Sequence, residues 1–151
     1  MAKPLQRIPT QDDFRKELRR HKLRATRQRL AVHEAMMTLE HASAETVRDV
    51  LAERGLAIST ASVYNILSQL ADEHIYGRRL SATNRMFFDI VSGRHIHLYD
   101  RENHVFRNQE DPELAMLVAE HFKRRKFRGF TIEDIDIQII ARPTRGKKKS
   151  K

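Results

Sequence analysis

Two histidines, His95 and His97, follow an aspartate in the stretch FFDIVSGRHIHLYD at residues 87–100. If this stretch is a β-strand, both imidazoles point to one face, roughly 7 Å apart along the chain, and Asp89 has the same parity. Two imidazoles at this spacing can converge on one cation. Ligands of mixed nitrogen and oxygen type suit Fe²⁺, Mn²⁺ or Zn²⁺. The stretch therefore predicts a divalent-metal site, with an ordinary strand as the alternative.

A fourth candidate ligand lies far from these three in the sequence. His41 directly precedes a predicted helix in the first half of the chain. If it joins the site, the metal connects the two halves, which is what a metal-controlled regulator requires. The predicted metal ligands are therefore His41, Asp89, His95 and His97.

Composition excludes several other functions. The 151 residues include no cysteine, so disulfides, thiolate ligands and thiol catalysis are excluded. No apolar run approaches the roughly 20 residues of a membrane span, and the first residues lack the apolar core of a secretory signal. We expect a cytoplasmic protein with no membrane partner. No phosphate-binding loop or catalytic triad is present, so we do not expect an enzyme.

One class of metalloenzyme fits the same residues. HIHLYDRE matches the H-x-H-x₄-E motif of cupin oxygenases and isomerases, with Glu102 as the carboxylate. A cupin also needs a second motif with a distant histidine on an all-β barrel. Because the first half of this chain is helical and its glycines do not flank the motif, the cupin is the weaker alternative.

Positive charge is concentrated at the two ends of the chain. The net charge is +9, and residues 142–151 contribute six basic residues and no acid, as in a disordered tail. Residues 1–30 carry ten Lys or Arg and three acids on helical sequence. A solvated helix face would explain this excess, but a surface facing DNA phosphates explains it more specifically.

The pattern after residue 42 is typical of a helix-turn-helix. Ser43 caps one predicted helix, Gly55 ends it, and Ser59 caps the next after only three further residues. The second helix exposes hydroxyls, an amide and a phenol, with no acid on its first two turns. Such a face suits the major groove of DNA, where carboxylates are repelled, and an ordinary helical hairpin is the alternative. The predicted contacts are Thr60, Ser62, Tyr64 and Asn65.

The segment that follows predicts a wing and then a second domain. IYGRRLSATNRMFFDI has two short apolar stretches around a turn, and its Arg78 and Arg79 are expected to contact DNA. A β-β-α-β unit of about 50 residues follows, which is small for independent stability, so we expect a homodimer. The predicted fold class is α+β: a winged helix-turn-helix DNA-binding domain over residues 1–90, then a small α/β dimerisation and metal-sensing domain over residues 91–141.

Several segments in order resemble the ferric uptake regulator (Fur) family, namely RATRQRLAV, HASAE, ISTASVYNILSQL and FFDIVSGRHIHLYD. The resemblance covers roughly residues 12–140. It implies a homodimer on double-stranded DNA with a palindromic operator, and a metal-sensing site on the same four ligands. It also implies DNA contacts at Arg24 and Tyr64. The candidates for a fifth metal ligand are His104, Asn108 and Glu110.

The chain departs from the family pattern in one respect that narrows the prediction. The family's four-cysteine structural zinc site is absent, and a cysteine-free chain with VYN in the recognition helix is most similar to the iron response regulator (Irr) branch. That branch answers to haem or iron, so haem is a second candidate cofactor. We predict a metal-responsive repressor of iron-homeostasis genes. Peroxide sensing through oxidation of iron-bound histidines is the alternative, because Asp89 in place of glutamate is similar to the peroxide-sensing branch.

Overall fold

The computed structural model describes residues 7–91, 96–133 and 135–145. The chain divides into two compact units, one within residues 3–93 and the other within residues 94–151. Each contains helical and strand segments, so the fold is α+β as predicted. None of the described helices is long and apolar enough to cross a membrane.

The N-terminal unit consists of four helices and a three-stranded antiparallel sheet. A serine or threonine side chain at each helix start accepts a hydrogen bond from the third helical backbone N–H, which satisfies one amide that the helix itself cannot. The elements are α1 (Gln11–Arg20), α2 (Arg27–Leu39), β1 (His41–Ala42), α3 (Ala44–Glu53), α4 (Thr60–Asp72), β2 (Gly77–Leu80) and β3 (Met86–Asp89).

A single apolar core holds these helices together. The buried side chains of α3 and α4 recur at helical spacing, with Val47 and Leu51 on one helix and Val63 and Leu67 on the other, all at most 1% exposed. Burying one such side chain contributes about 1.5–3 kcal/mol relative to leaving it in water. The unit is therefore stabilised by its own interior.

The helix-turn-helix and the wing form as predicted. α3 is followed by Gly55 at φ +83°, a left-handed conformation that glycine adopts without strain, and Ser59 caps α4. β2 and β3 pair as an antiparallel hairpin. The hairpin is shorter than predicted, because β2 begins at Gly77 and the preceding Tyr76 packs in the core.

One strand was not predicted. Residues His41 and Ala42, where the sequence suggests only a break between helices, form β1 and pair with β3 on the side opposite β2. Two residues are too few for a strand period to be visible in the sequence. The pairing matters for function, because it places His41 directly opposite Asp89.

The C-terminal unit is a second three-stranded sheet with one helix. In the order β5-β4-β6, β4 pairs antiparallel with β5 and parallel with β6. The final strand begins at Ile137, and both Ile139 and Ile140 are exposed, so its side chains do not form one buried face. The elements are β4 (Ile96–Asp100), β5 (Val105–Gln109), α5 (Pro112–Lys123) and β6 (Ile137–Ala141).

Candidate metal and DNA-binding residues

Two of the four predicted metal ligands lie side by side in the N-terminal unit. The Nδ1 atom of His41 is 3.4 Å from Oδ2 of Asp89, and the two side chains are 6% and 1% exposed. A buried carboxylate is costly unless charged or hydrogen-bonding groups surround it. The backbone N–H of Val91 donates to the other oxygen of Asp89 at 2.9 Å. The structure thus places one imidazole nitrogen and one carboxylate oxygen close enough together to bind the same metal ion.

A third side chain joins this pair. Nη2 of Arg79 lies 3.9 Å from Oδ2 of Asp89, and the Arg79 side chain is only 8% exposed. Arg79 is among the residues predicted to contact DNA. Its placement beside a buried carboxylate does not support that role, so we leave it out of the proposed DNA surface. Nothing in the sequence pattern indicates the contact, because it depends on the pairing of β2 with β3.

The other predicted ligands belong to the C-terminal unit. His95 lies outside the described residues. His97 is buried on β4, where Phe106 packs edge-on against its ring with 6.1 Å between centroids. Its Nδ1 atom is 3.9 Å from Oδ1 of Asp136, a carboxylate that is not among the predicted ligands. His97 therefore has an acidic neighbour among the described residues of its own unit.

The three candidates for a fifth ligand have different surroundings. Asn108 is the cross-strand partner of His97, so the two side chains share a face of the sheet. His104 lies in a turn, where its Nδ1 is 3.1 Å from the hydroxyl of Tyr99. Glu110 follows β5 and is exposed. Of the three, Asn108 is the residue that the strand register places directly across from His97.

The predicted recognition helix α4 exposes the residues expected to meet DNA. Tyr64 is 41% exposed, and its ring packs edge-on against Phe88 with 5.8 Å between centroids. This contact restrains the orientation of the phenol ring. Asn65 is exposed beside it. With the turn of the wing, these residues line a groove of about 450 Å³ that also contains Asn84 and Arg85.

The remaining predicted DNA contacts lie around this groove or carry hydrogen bonds of their own. The Thr60 hydroxyl accepts from Nη1 of Arg48 at 2.9 Å, and the Ser62 hydroxyl accepts from that of Ser59, also at 2.9 Å. Arg78 is exposed and forms an ion pair with Asp72 at the end of α4.

Arg24, the predicted contact that precedes α2, has an exposed side chain. Its backbone carbonyl accepts from Nη1 of Arg29 at 2.8 Å, and Nη2 of Arg29 donates to the Gln69 side chain at 2.6 Å. Arg29 therefore ties the loop that carries Arg24 to α4. The Arg24 guanidinium therefore belongs to the same N-terminal unit as Tyr64.

A buried histidine with no predicted role anchors the start of the chain. Nε2 of His33 donates to the carbonyl of Pro9 at 2.9 Å, so Nδ1 accepts from the hydroxyl of Tyr76 at 2.7 Å. Phe14 stacks on the ring, 4.1 Å between centroids. Burial lowers the pKa of His33 and raises the pKa of Tyr76 well above its usual range. The only sequence signal was a histidine within an apolar helical stripe.

Comparison with known proteins identifies the fold. The Vibrio cholerae ferric uptake regulator superposes with a TM-score of 0.72 at 20% identity, covering 86% of this chain and 99% of that one. The Pseudomonas aeruginosa ferric uptake regulator, in a structure with manganese, gives 0.69 at 26% identity over 85% and 96%. The Helicobacter pylori regulator, described with three functional metal-binding sites, gives 0.67 at 19% identity over 92% and 95%. Among curated proteins, no sequence matches significantly.

The sequence profile of the ferric uptake regulator family matches residues 20–140, which cover most of both units and every predicted site residue. Proteins of this family are metal-responsive, dimeric, DNA-binding regulators of transcription and not enzymes. The winged helix-turn-helix, the second α/β unit and the extent of the match agree, and this chain belongs to the ferric uptake regulator family.

Proposed function

We propose that this chain is a repressor of iron-homeostasis genes that binds a palindromic operator as a homodimer in response to a divalent metal. It would act in the cytoplasm, where that DNA is. The observation that carries the proposal is the buried pair of His41 and Asp89. Both are good metal ligands, and both lie in the small sheet that contains the wing of the DNA-binding unit.

The donor atoms of this pair fit a divalent metal. Two ligand atoms about 2.1 Å from a tetrahedrally coordinated ion are about 3.4 Å apart, and His41 Nδ1 and Asp89 Oδ2 are separated by 3.4 Å. We propose that His95 and His97 complete the set, which gives three nitrogens and one oxygen, suited to Fe²⁺, Mn²⁺ or Zn²⁺. When bound, the metal would supply a positive centre held by these ligands. Nothing among the described residues favours haem.

The position of His41 offers a route from the metal to DNA. His41 lies two residues before Ser43, whose side chain caps α3, the first helix of the helix-turn-helix. A metal that holds the His41 imidazole in place would therefore restrain the segment that leads into α3 and the helix-turn-helix. On the neighbouring strand, Asp89 ends β3, the second strand of the wing. Both proposed ligands are thus one or two residues from elements that contact the duplex.

The proposed DNA surface is centred on the first half of α4. Its exposed groups include a phenol and an amide, and its half-buried groups include two hydroxyls, all of which can donate to phosphates or to base edges without the repulsion of a carboxylate. Among the described residues, the neighbouring groove is lined by one acid, Glu45, and by one base, Arg85. The residues proposed to contact DNA are Arg24, Thr60, Ser62, Tyr64, Asn65 and Arg78.

The C-terminal unit supplies the proposed dimer surface. Helix α5, all of which is described, has no buried residue although it contains Met116 and Leu117, which are 68% and 62% exposed. So many exposed large apolar side chains on one small unit are typical of a protein interface. Further exposed apolar residues of this unit are Val105, Phe127, Phe130, Ile132, Ile139 and Ile140.

The proposal is tested by retardation of a palindromic operator fragment with and without Mn²⁺. We expect metal-dependent retardation by the wild type, which Asp89→Ala and His97→Ala each abolish while circular dichroism shows a folded protein. The matched control is His74→Asn, because His74 is exposed and has φ +58°, which asparagine tolerates. Retardation that is equal with and without metal in all four proteins would show that this site does not control DNA binding.

A peroxide treatment of the same proteins distinguishes peroxide sensing from metal sensing. If iron at the site oxidises its own ligands, peroxide treatment of the iron-loaded wild type adds one oxygen to a peptide containing His41, His95 or His97. The same treatment of the manganese-loaded protein leaves those masses unchanged. An absorbance spectrum after haem addition tests the haem alternative, which predicts a Soret shift that is lost in His97→Ala.

A further inference from the structure

We propose that Arg79 competes with the divalent metal for Asp89 and thereby sets the metal concentration to which the protein responds. The inference rests on the proposed metal site and adds to it a residue that is not a ligand. Nη2 of Arg79 is 3.9 Å from Oδ2 of Asp89, the same oxygen that lies 3.4 Å from Nδ1 of His41. A cation held by His41 and Asp89 would therefore meet a guanidinium at its ligand oxygen.

The strand register explains how an arginine reaches this position. Gly77 is the residue of β2 directly opposite Asp89, on the strand edge away from His41. A Cβ atom added at Gly77 would lie 3.4 Å from Cβ of Asp89, so a larger side chain would fill the space beside the carboxylate. Arg79 follows two residues later on the same face of β2. Glycine thus leaves that space open to the arginine.

The charges make the competition unavoidable. A guanidinium stays protonated at every physiological pH, so Arg79 cannot yield to a metal by losing its charge. A divalent cation on Asp89 is attracted by the carboxylate and repelled by the arginine, and both interactions are strong where water is largely excluded. Part of the binding free energy of the metal is therefore used to move the guanidinium away. A neutral side chain at residue 79 removes that cost.

The neighbouring arginine provides a matched control. Arg78 has the opposite parity on the same strand, is exposed, and forms an ion pair with Asp72 rather than with Asp89. Its replacement removes one positive charge from the same hairpin without touching the site. Any effect of the overall charge of the wing on metal affinity would therefore appear equally in variants of Arg78 and Arg79.

The test is the Kd of the full-length protein for Mn²⁺, measured by titration calorimetry. We expect Arg79→Gln to lower the Kd about tenfold, which corresponds to roughly 1.4 kcal/mol, whereas Arg79→Lys, which keeps the charge, and Arg78→Gln stay within about twofold of the wild type. A Kd in Arg79→Gln that equals or exceeds that of the wild type overturns the competition while leaving the metal site intact. A wild type that binds no manganese overturns the metal site and the competition together.

A second measurement avoids the risk that Arg79→Gln does not fold. In the wild type, saturation with diamagnetic Zn²⁺ should shift the side-chain Nε resonance of Arg79, assigned by its loss in Arg79→Lys, because the guanidinium leaves Asp89. The Arg78 resonance, as the internal reference, should not move. An Arg79 resonance that is unchanged on metal saturation contradicts the proposal.

Discussion

The two units of this chain differ in how far their apolar side chains are buried. In the N-terminal unit, Val47 and Leu67 are completely buried in a shared core, whereas in the C-terminal unit Met116 and Leu117 on α5 are more than half exposed. A helix gains little stability in water from its own hydrogen bonds and depends on burying an apolar face. The difference teaches that the N-terminal unit is stabilised from within, while the second unit exposes apolar surface that we propose a second copy of the chain covers.

The strongest test of this contrast is a charge placed on the exposed helix. Leu117→Glu should convert the dimer to a monomer, because a buried unpaired carboxylate is costly in an interface. Loss of simultaneous binding to two half-sites should weaken operator binding at least about a hundredfold. Light scattering coupled to gel filtration gives the mass, and retardation gives the affinity.

The control for that experiment is Glu120→Gln, which changes an exposed residue of the same helix without adding charge to its apolar side. It should remain dimeric. If Leu117→Glu also stays dimeric at micromolar concentration, the exposed face of α5 is not the interface.

A second test of the contrast replaces one leucine in each unit by alanine and compares the losses of stability. Leu67→Ala should lower the free energy of unfolding of the N-terminal unit by about 2–5 kcal/mol, because it leaves a cavity in a packed core. Leu117→Ala should leave that unit unchanged and weaken the dimer instead. Denaturant titrations followed by near-ultraviolet circular dichroism, at several protein concentrations, separate the two effects. Equal and concentration-independent losses from both substitutions would remove the contrast.

Within the N-terminal unit, the proposed DNA surface and the proposed metal ligands consist of different residues. Tyr64→Ala should weaken operator binding by about tenfold to a hundredfold, the cost of one good contact in a groove. The loss should be the same fraction with and without Mn²⁺, because Tyr64 lies on the exposed side of α4 and not among the proposed ligands. Fluorescence anisotropy of a labelled operator measures both. Wild-type affinity in this variant would exclude α4 as the recognition helix.

The smallest expected effect concerns the buried histidine of the N-terminal unit. Burial lowers the pKa of His33, so the folded state favours the neutral ring. Its contribution to stability is complete above the unfolded pKa of about 6.5 and is lost as the pH falls from there through the lower folded value. The melting temperature should therefore fall between pH 7.5 and pH 5.5, and fall less in His33→Gln than in His74→Asn. The same pH slope in both variants would assign the dependence to other groups.

Local signals in the sequence were sufficient for the helices and the wing, but not for the contacts between strands. Ser43 and Ser59 identify helix starts because capping is a local interaction. By contrast, β1 has two residues and shows no period, and the approach of Arg79 to Asp89 depends on the register of β2 and β3. A pattern in one segment contains no information on which residue of another segment lies opposite it.

The same limit applies to the metal residues. Spacing was enough to nominate Asp89 and His97, and the family resemblance supported His41. The carboxylate of Asp136 beside His97 could not be anticipated, because it reaches β4 from the start of β6 through a parallel pairing that is distant in sequence. The residue types alone were enough to predict which side chains could bind a metal. The residues that surround those side chains could not be predicted, because tertiary structure determines them.

The most direct test of the central claim is anomalous diffraction from crystals of the full-length protein grown with Mn²⁺. We predict one manganese peak per chain at bonding distance from Nδ1 of His41 and Oδ2 of Asp89, with the Arg79 guanidinium turned away from that oxygen. Manganese bound elsewhere, with His41 and Asp89 in contact with each other and with no metal, would contradict the account.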